Sequence, residues 1–500
     1  MMDVFANIGL GLSVAATFQN LAYCMLGTLL GTIVGVLPGI GPVTTVAMLL
    51  PISFTLEPTS ALIMMAGIYY GAQYGGSTTA ILINIPGEPS SVVTSLDGYQ
   101  MARQGRAGPA LGIAALGSFF AGCVATFVIA FGAPPLAKLA LQFGPAEYFS
   151  LMLCGLVAAI VLARGSVIKA IAMVVLGLIF GLAGSDVNSG IRRFTFGFQG
   201  LADGIEFVAL SMAIYGVSEV AINLEKKDEE VGVVSTVGSV WPSFADIRYC
   251  MPSILRGTAL GSVLGVLPGG GALLAAFSAY TLEKKVAKHP RRFGEGDIRG
   301  VAAPESANNA GAQTSFIPML TLGIPSNPTM ALMIGALMVH GITPGPRVLI
   351  DRPDLFWGVV ASMWIGNLML VVLNLPMVGI WVRLLRMPYR MMFPAIVGFC
   401  CVGTYTINGN VTDIAVMAFF TIFGYLCLKL DCEPAPLILG FVLGPMMEEN
   451  LRRALLISRG DPTIFVNAPI SLTFLVAAAL LLLIVAAPAI RARREEALAE

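Results

Sequence analysis

Residues 31–42 read GTIVGVLPGIGP, and residues 261–272 read GSVLGVLPGGGA. Five consecutive residues, GVLPG, are identical in the two stretches, at 35–39 and at 265–269. Downstream, Gly71, Ala72 and Gln73 match Gly311, Ala312 and Gln313, and Ile85-Pro86-Gly87-Glu88-Pro89 matches Ile324-Pro325-Ser326-Asn327-Pro328. The order is kept, with about ten more residues between the first two matches in the second copy. One such match in a glycine-rich chain carries little weight. Three in the same order point to a duplicated unit.

The surroundings of these motifs are apolar. Of 500 residues, 56% are hydrophobic and only 12% are charged, and the mean hydropathy is +0.83. A soluble domain carries about 25% charged residues. Spanning a bilayer takes roughly 20 apolar residues, and residues 111–133, 356–382 and 470–490 are long runs of this kind. Further candidates lie near 5–22, 27–50, 60–76, 147–163, 166–184, 205–223, 255–280, 392–407 and 412–428. The runs are continuous rather than alternating, which excludes a β-barrel reading. The expectation is an all-α polytopic membrane protein with about 12 transmembrane helices, a count taken from roughly 20 residues per span.

Charge placement bears on how the two copies are oriented. The loop after the first LPG element, residues 53–60, lacks cations, whereas the corresponding region of the second copy carries Lys284, Lys285, Lys288, Arg291, Arg292 and Arg299. Short cationic loops stay in the cytoplasm. The second loop is therefore expected inside and the first outside, which is what inverted-topology repeats require. A parallel duplication with uneven charges is the alternative. The domain reading is a first transmembrane repeat over 1–224, a polar linker over 225–253, the core of a second repeat over 254–390 and C-terminal helices over 391–500. The charged run at 225–230 reads as a solvated linker. Arg452, Arg453 and Arg459 cannot share a side with Arg491, Arg493 and Arg494 if one span separates them, so an interfacial segment near Leu451 is expected.

Proline and glycine inside apolar runs break helices, and broken backbone survives at membrane depth only in protein or beside a wet cavity. The break elements are Pro38, Gly39 and Gly41 with Pro86 and Gly87 in the first copy, and Pro268, Gly269 and Gly271 with Pro325 in the second. Around them cluster neutral oxygens and amides. Ser77, Thr78, Thr79 and Asn84 belong to the first copy; Ser306, Asn308, Asn309 and Asn327 belong to the second. Half-helix N-termini present free N–H groups to an anion, and side-chain oxygens suit a hard cation. These eight residues are the candidate substrate- and ion-binding set. Interhelical hydrogen bonding is the bland alternative for any one of them. Two acids, Glu88 and Glu305, sit within the broken elements. Each either serves an ion or caps a half-helix. No Lys or Arg accompanies them, so backbone dipoles and bound Na⁺ would have to balance an anion.

Other function classes find little support. The first cation is Arg103, which excludes a basic signal-peptide n-region. The eight cysteines show no metal-like pairing, and a net charge of zero argues against nucleic acid as a partner. His340 reads as structural. No catalytic constellation is present, so an enzyme is not expected.

The stretches GTIVGVLPGIGP, YGGSTTAILINIPGEPSSVVTSLDGYQMARQGRAG, GSVLGVLPGGG, ESANNAGAQTSFIPMLTLGIPSNPTMALMIGALMVHGITPGP and LGFVLGPMMEENLRRALLISRGDPTIF resemble the large membrane subunit of the tripartite tricarboxylate transporters. The resemblance covers nearly the whole chain. It implies a multi-pass permease of the bacterial inner membrane. It further implies import of citrate or other small carboxylates by alternating access, typically coupled to Na⁺ and without a cofactor. The implied partners are a small membrane subunit and a periplasmic solute-binding protein. Gln313-Thr314-Ser315-Phe316 and Ser326-Asn327-Pro328 depart from the family's usual small residues, which leaves the carboxylate open.

Overall fold

The structure is a computed structural model, and it describes residues 2–37, 41–163, 166–186, 189–225, 237–267, 271–287, 292–385 and 393–486. Helices dominate these residues. In chain order the first eight are α1 Met2–Ala15, α2 Phe18–Val36, α3 Pro42–Ser53, α4 Pro58–Ile83, α5 Val92–Arg103, α6 Ala107–Ala140, α7 Pro145–Leu162 and α8 Val167–Gly181. A two-residue antiparallel pair follows, β1 Gly184–Ser185 with β2 Arg192–Arg193. Then come α9 Phe207–Ser211, a π-helical stretch Met212–Val217 and α10 Ser218–Glu225. The second copy holds α11 Phe244–Leu264, α12 Gly271–Val286, α13 Arg299–Thr314, α14 Phe316–Leu322 and α15 Pro328–Val339. The remainder is α16 Val348–Asp351, α17 Pro353–Asn374, α18 Val378–Leu384, α19 Phe393–Asn408, α20 Val411–Lys429, α21 Ala435–Ile457, α22 Ile464–Asn467 and α23 Pro469–Ala486.

Among the described residues four helices are long and apolar enough to cross a membrane: α2, α6, α17 and α20. Eight further apolar helices are shorter. Some expected spans are divided. The run at 356–382 stops at Asn374, because Pro376 supplies no backbone donor and clashes with the preceding turn. The run at 5–22 splits where the Thr17 side chain accepts from the Asn20 backbone N–H and so starts α2. The stretch read as linker over 225–253 contains the first turns of α11, capped by Ser243 and Asp246. Residues 226–236 and the arginines beyond 486 lie outside the described residues.

Both copies break where glycine and proline stand. Helix α2 ends at Val36 with Leu37 already extended, and α3 resumes at Pro42; α11 ends at Leu264 and α12 resumes at Gly271. Pro38, Gly39, Pro268 and Gly269 lie outside the described residues. The second pair of breaks matches position by position. Helix α4 ends on Asn84 at φ 59°, and α14 ends on the equivalent Gly323 at φ 70°. Both are left-handed residues of the kind that end a helix. Glu88 and the equivalent Asn327 are extended N-caps, each followed by a proline at the first helical position.

Close packing also recurs in both copies. A Cβ added to Gly27, Gly31 or Gly35 would lie 2.2, 2.4 or 2.4 Å from the carbonyl oxygens of Met64, Ile68 and Ala72 on α4. In the second copy, Gly257, Gly261 and Gly265 make the same approach, 2.4, 2.2 and 2.4 Å, to Ala303, Ala307 and Gly311 on α13. Small residues four apart let membrane helices approach backbone to backbone. The two helices held in this way, α4 and α13, are buried almost throughout. For α13, with the sequence RGVAAPESANNAGAQT, this puts a polar helix at the centre of the molecule.

Candidate functional site

The breaks in both copies open onto one cavity of about 210 Å³. The start of α3 contributes Pro42 and Val43, and the start of α12 contributes Gly271, Ala272 and Leu273. Asn327, Pro328 and Thr329 open α15, while Glu88, Pro89 and Ser90 form the turn leading into α5. A fourth helix, α21, adds Ala435, Pro436 and Leu439, with Glu433 just before it. Tyr69 and Gln73, one turn apart on α4, form part of the wall. The free N–H groups of a helix's first turn and its positive dipole end favour negative charge. Here such ends from α3, α12, α15 and α21 meet around one space, and among the described residues its lining holds no Lys or Arg.

The wall is braced from behind. Asn327 Oδ1 accepts from the Met330 backbone N–H at 3.0 Å, and its Nδ2 donates to the Tyr69 hydroxyl at 3.2 Å. The orientation of the Gln73 amide that satisfies its neighbours turns the nitrogen toward Glu88. It then donates to Glu88 Oε1 at 2.7 Å and to Asn308 Oδ1 at 2.6 Å. Asn308 Nδ2 donates to the same Glu88 oxygen at 3.1 Å, and the Ser90 hydroxyl lies within reach of both residues. Glu88 is 6% exposed, so hydrogen bonds replace most of its hydration. Helix α13 of the second copy thereby holds the break of the first.

One layer deeper, Glu305 is fully buried and joins the two copies. It accepts from the Ser77 hydroxyl at 2.5 Å and from the Thr94 hydroxyl. Ser77 and Thr78 line a separate, much smaller space of about 10 Å³ with Tyr74, Ser118 and Asn374.

The candidate residues from the sequence therefore fall into distinct places. Asn327 lines the large cavity and Asn308 supports it. Gly271 lines it too, while Gly41 caps α3 beside it. Asn309 turns to Ser118 and to the Glu305 carbonyl. The Thr79 hydroxyl lies 3.1 Å from the carbonyls of both Gly35 and Val36 and can donate to either of them at the broken end of α2. Ser306 bonds within its own helix to Ala302, and Asn84 is exposed at the end of α4. Pro86 and Pro325 shape the second pair of breaks, and Gly87 has no room for a side chain, since a Cβ there would lie 1.9 Å from the Gly35 carbonyl. His340 lies 3.1 Å from the Ser53 carbonyl, a structural contact. Tyr69, Ser90, Thr329 and Glu433 were absent from the candidate set although they line the cavity.

Comparison with known proteins identifies one family. The model of the tripartite tricarboxylate transporter TctA family matches residues 21–439. The chain is 57% identical over 501 residues to a relative from Agrobacterium vitis, with 100% of both chains covered. That relative is described as an uncharacterized 52.8 kDa protein in the TAR-I ttuC' 3' region. A second Agrobacterium vitis relative, described as an uncharacterized protein in the TAR-II ttuC' 3' region, is 56% identical over 240 residues. That match covers 48% of this chain and 99% of the relative. No solved structure matches.

Proposed function

This chain belongs to the tripartite tricarboxylate transporter TctA family, and from that premise we propose that it is the permease subunit of a secondary importer for tricarboxylates or related small carboxylates. The family name makes it one component of a three-part transport system in a membrane. The observation that carries the reading is the convergence of four helix N-termini, those of α3, α12, α15 and α21, on one cavity of about 210 Å³. Backbone N–H groups supply the positive field there, as at other helix-terminus anion sites. The volume lies below that of drug-sized pockets, which suits a small acid.

One carboxylate of the first copy, Glu88, lines the same cavity. An anionic substrate beside it calls for an accompanying cation, and this supports Na⁺-coupled symport. The paired breaks, built alike in two copies, support an inverted-repeat transport unit that alternates its access against the long helices. The loop charges support the inverted orientation. In this reading the shorter apolar helices bring the number of passes toward twelve. The membrane is the bacterial inner membrane, and the partners are a small membrane subunit and a periplasmic solute-binding protein.

The test is reconstitution of the chain with both partners in proteoliposomes, with uptake of mono-, di- and tricarboxylates measured under an imposed Na⁺ gradient. Concentrative uptake of a di- or tricarboxylate that collapses without Na⁺ is the expected result. Undiminished uptake driven by a proton gradient in Na⁺-free vesicles would reject Na⁺ coupling. Uptake without the binding protein would instead favour a free-standing carrier.

A further inference from the structure

We propose that the small space between α4, α6 and α17 is a Na⁺-binding site, separate from the carboxylate cavity and balanced in charge by Glu305. Its volume, about 10 Å³, is on the order of one water-sized sphere. Five oxygen-bearing side chains line it: Tyr74, Ser77, Thr78, Ser118 and Asn374.

Two of them present buried atoms without a partner. Tyr74 is 3% exposed and its hydroxyl has no hydrogen-bond partner among the described residues. Asn374 is 6% exposed; its Nδ2 donates to the Leu370 carbonyl at 2.9 Å, while its Oδ1 is unpartnered. Buried polar atoms are nearly always paired, and an orphan calls for an explanation.

Ser77 and Ser118 have acceptors elsewhere for their hydroxyl protons, which leaves lone pairs for the space. The Ser77 hydroxyl proton is committed to Glu305 Oε2 at 2.5 Å or to the Gln73 carbonyl at 3.0 Å. Ser118 Oγ accepts from Asn309 Nδ2 at 2.7 Å, and its own proton has the Glu305 carbonyl at 3.5 Å. Lone pairs on hydroxyl and amide oxygens are the ligands that a hard cation takes. One carboxylate, Glu305, stands one hydrogen bond away through Ser77. A single compensating charge matches a monovalent ion.

The site rests on this geometry alone. That its occupancy is coupled to import rests on the symport reading above. Ser77 also links the two regions, because Gln73, whose carbonyl can accept its proton, lies on the wall of the large cavity.

The experiment measures the melting temperature of the purified transporter against NaCl, with choline chloride holding ionic strength constant and no carboxylate present. The wild type should show saturable stabilisation by Na⁺. Tyr74→Phe deletes one unpartnered hydroxyl and no other contact. It should leave the Na⁺-free melting temperature equal or higher and raise the Na⁺ half-saturation about tenfold or more. Asn374→Ala should also shift the half-saturation, and it provides a second variant from a different helix. Wild-type half-saturation in both variants would place the ion elsewhere and overturn the proposal. Absence of any Na⁺-specific stabilisation in the wild type would overturn it as well. If the variants shift as expected while uptake proves independent of Na⁺, the site stands and the symport reading alone fails.

Discussion

Replacing Asn327 in two ways separates its structural from its electrostatic contribution. In Asn327→Ala the bond from the Met330 N–H, 3.0 Å long, and the bond to Tyr69, 3.2 Å long, are both lost. Loss of an N-cap costs about 0.5–2 kcal/mol. A neutral hydrogen bond adds about 0.5–1.5 kcal/mol. Together these should lower stability by about 1–3 kcal/mol and weaken carboxylate affinity roughly 5- to 100-fold if the wall loses its shape, at 1.4 kcal/mol per tenfold. Asn327→Asp keeps the capping oxygen and places a carboxylate at a helix N-terminus, which favours stability. It also adds a negative charge to the cavity wall. At a separation of about 5 Å and an effective dielectric near 20, repulsion of one substrate charge is about 3 kcal/mol, or roughly 100-fold in affinity. The assay pairs the melting temperature of the purified transporter with the half-saturation for uptake in proteoliposomes. Asn327→Asp should keep the melting temperature and lose affinity. A wild-type half-saturation for Asn327→Asp would refute the claim that this wall faces an anion.

Further predictions follow from other parts of the molecule. Gly35→Val and Gly265→Val should abolish folding of the transport unit, because even a Cβ would lie 2.4 Å from a backbone oxygen of the facing helix; loss of monodisperse protein after detergent extraction is the readout. Asp97→Ala should lower the melting temperature by several degrees, since its carboxylate accepts the backbone N–H groups of Gly294, Gly296 and Asp297 at 2.9 Å each and bonds to a charged acceptor contribute about 1.5–3 kcal/mol apiece. Asn308→Ala should raise the half-saturation for the carboxylate through loss of the 3.1 Å bond to Glu88. In a cysteine-free background, a cysteine at position 57 should react with an impermeant reagent from outside and one at position 284 should not; the opposite pattern would exclude the inverted arrangement.

The breaks were legible because glycine and proline act locally. The second pair of breaks was legible in IPG and its counterpart IPS, where each proline follows the end of a helix, and the equivalence of Asn84 and Gly323 followed from alignment of the copies, whereas Pro304 and Pro445 stand inside continuous helices. The same rule was available at Pro376, where an uncharged run obscured it. Polar residues around the breaks were legible as a group but not by direction. Gln73 and Ser77 are one turn apart on α4, yet the first faces the large cavity and the second the small one. That difference depends on depth along a helix buried on all sides, where no hydrophobic stripe marks a face. Glu433 was illegible for another reason. It lies in the C-terminal third, which has no repeat partner, and reaches the cavity only because α21 packs its N-terminus there.

The central claim is that a carboxylate occupies the space where the helix N-termini meet. Single cysteines placed at Val43 and Ala435, on two elements far apart in sequence but both lining that space, test it directly when their rates of thiol modification are measured with and without the imported carboxylate. The account predicts that saturating carboxylate slows modification at both positions and leaves a cysteine at exposed Phe18 unaffected. Equal rates at Val43 and Ala435 with and without a carboxylate that the same preparation transports would contradict it.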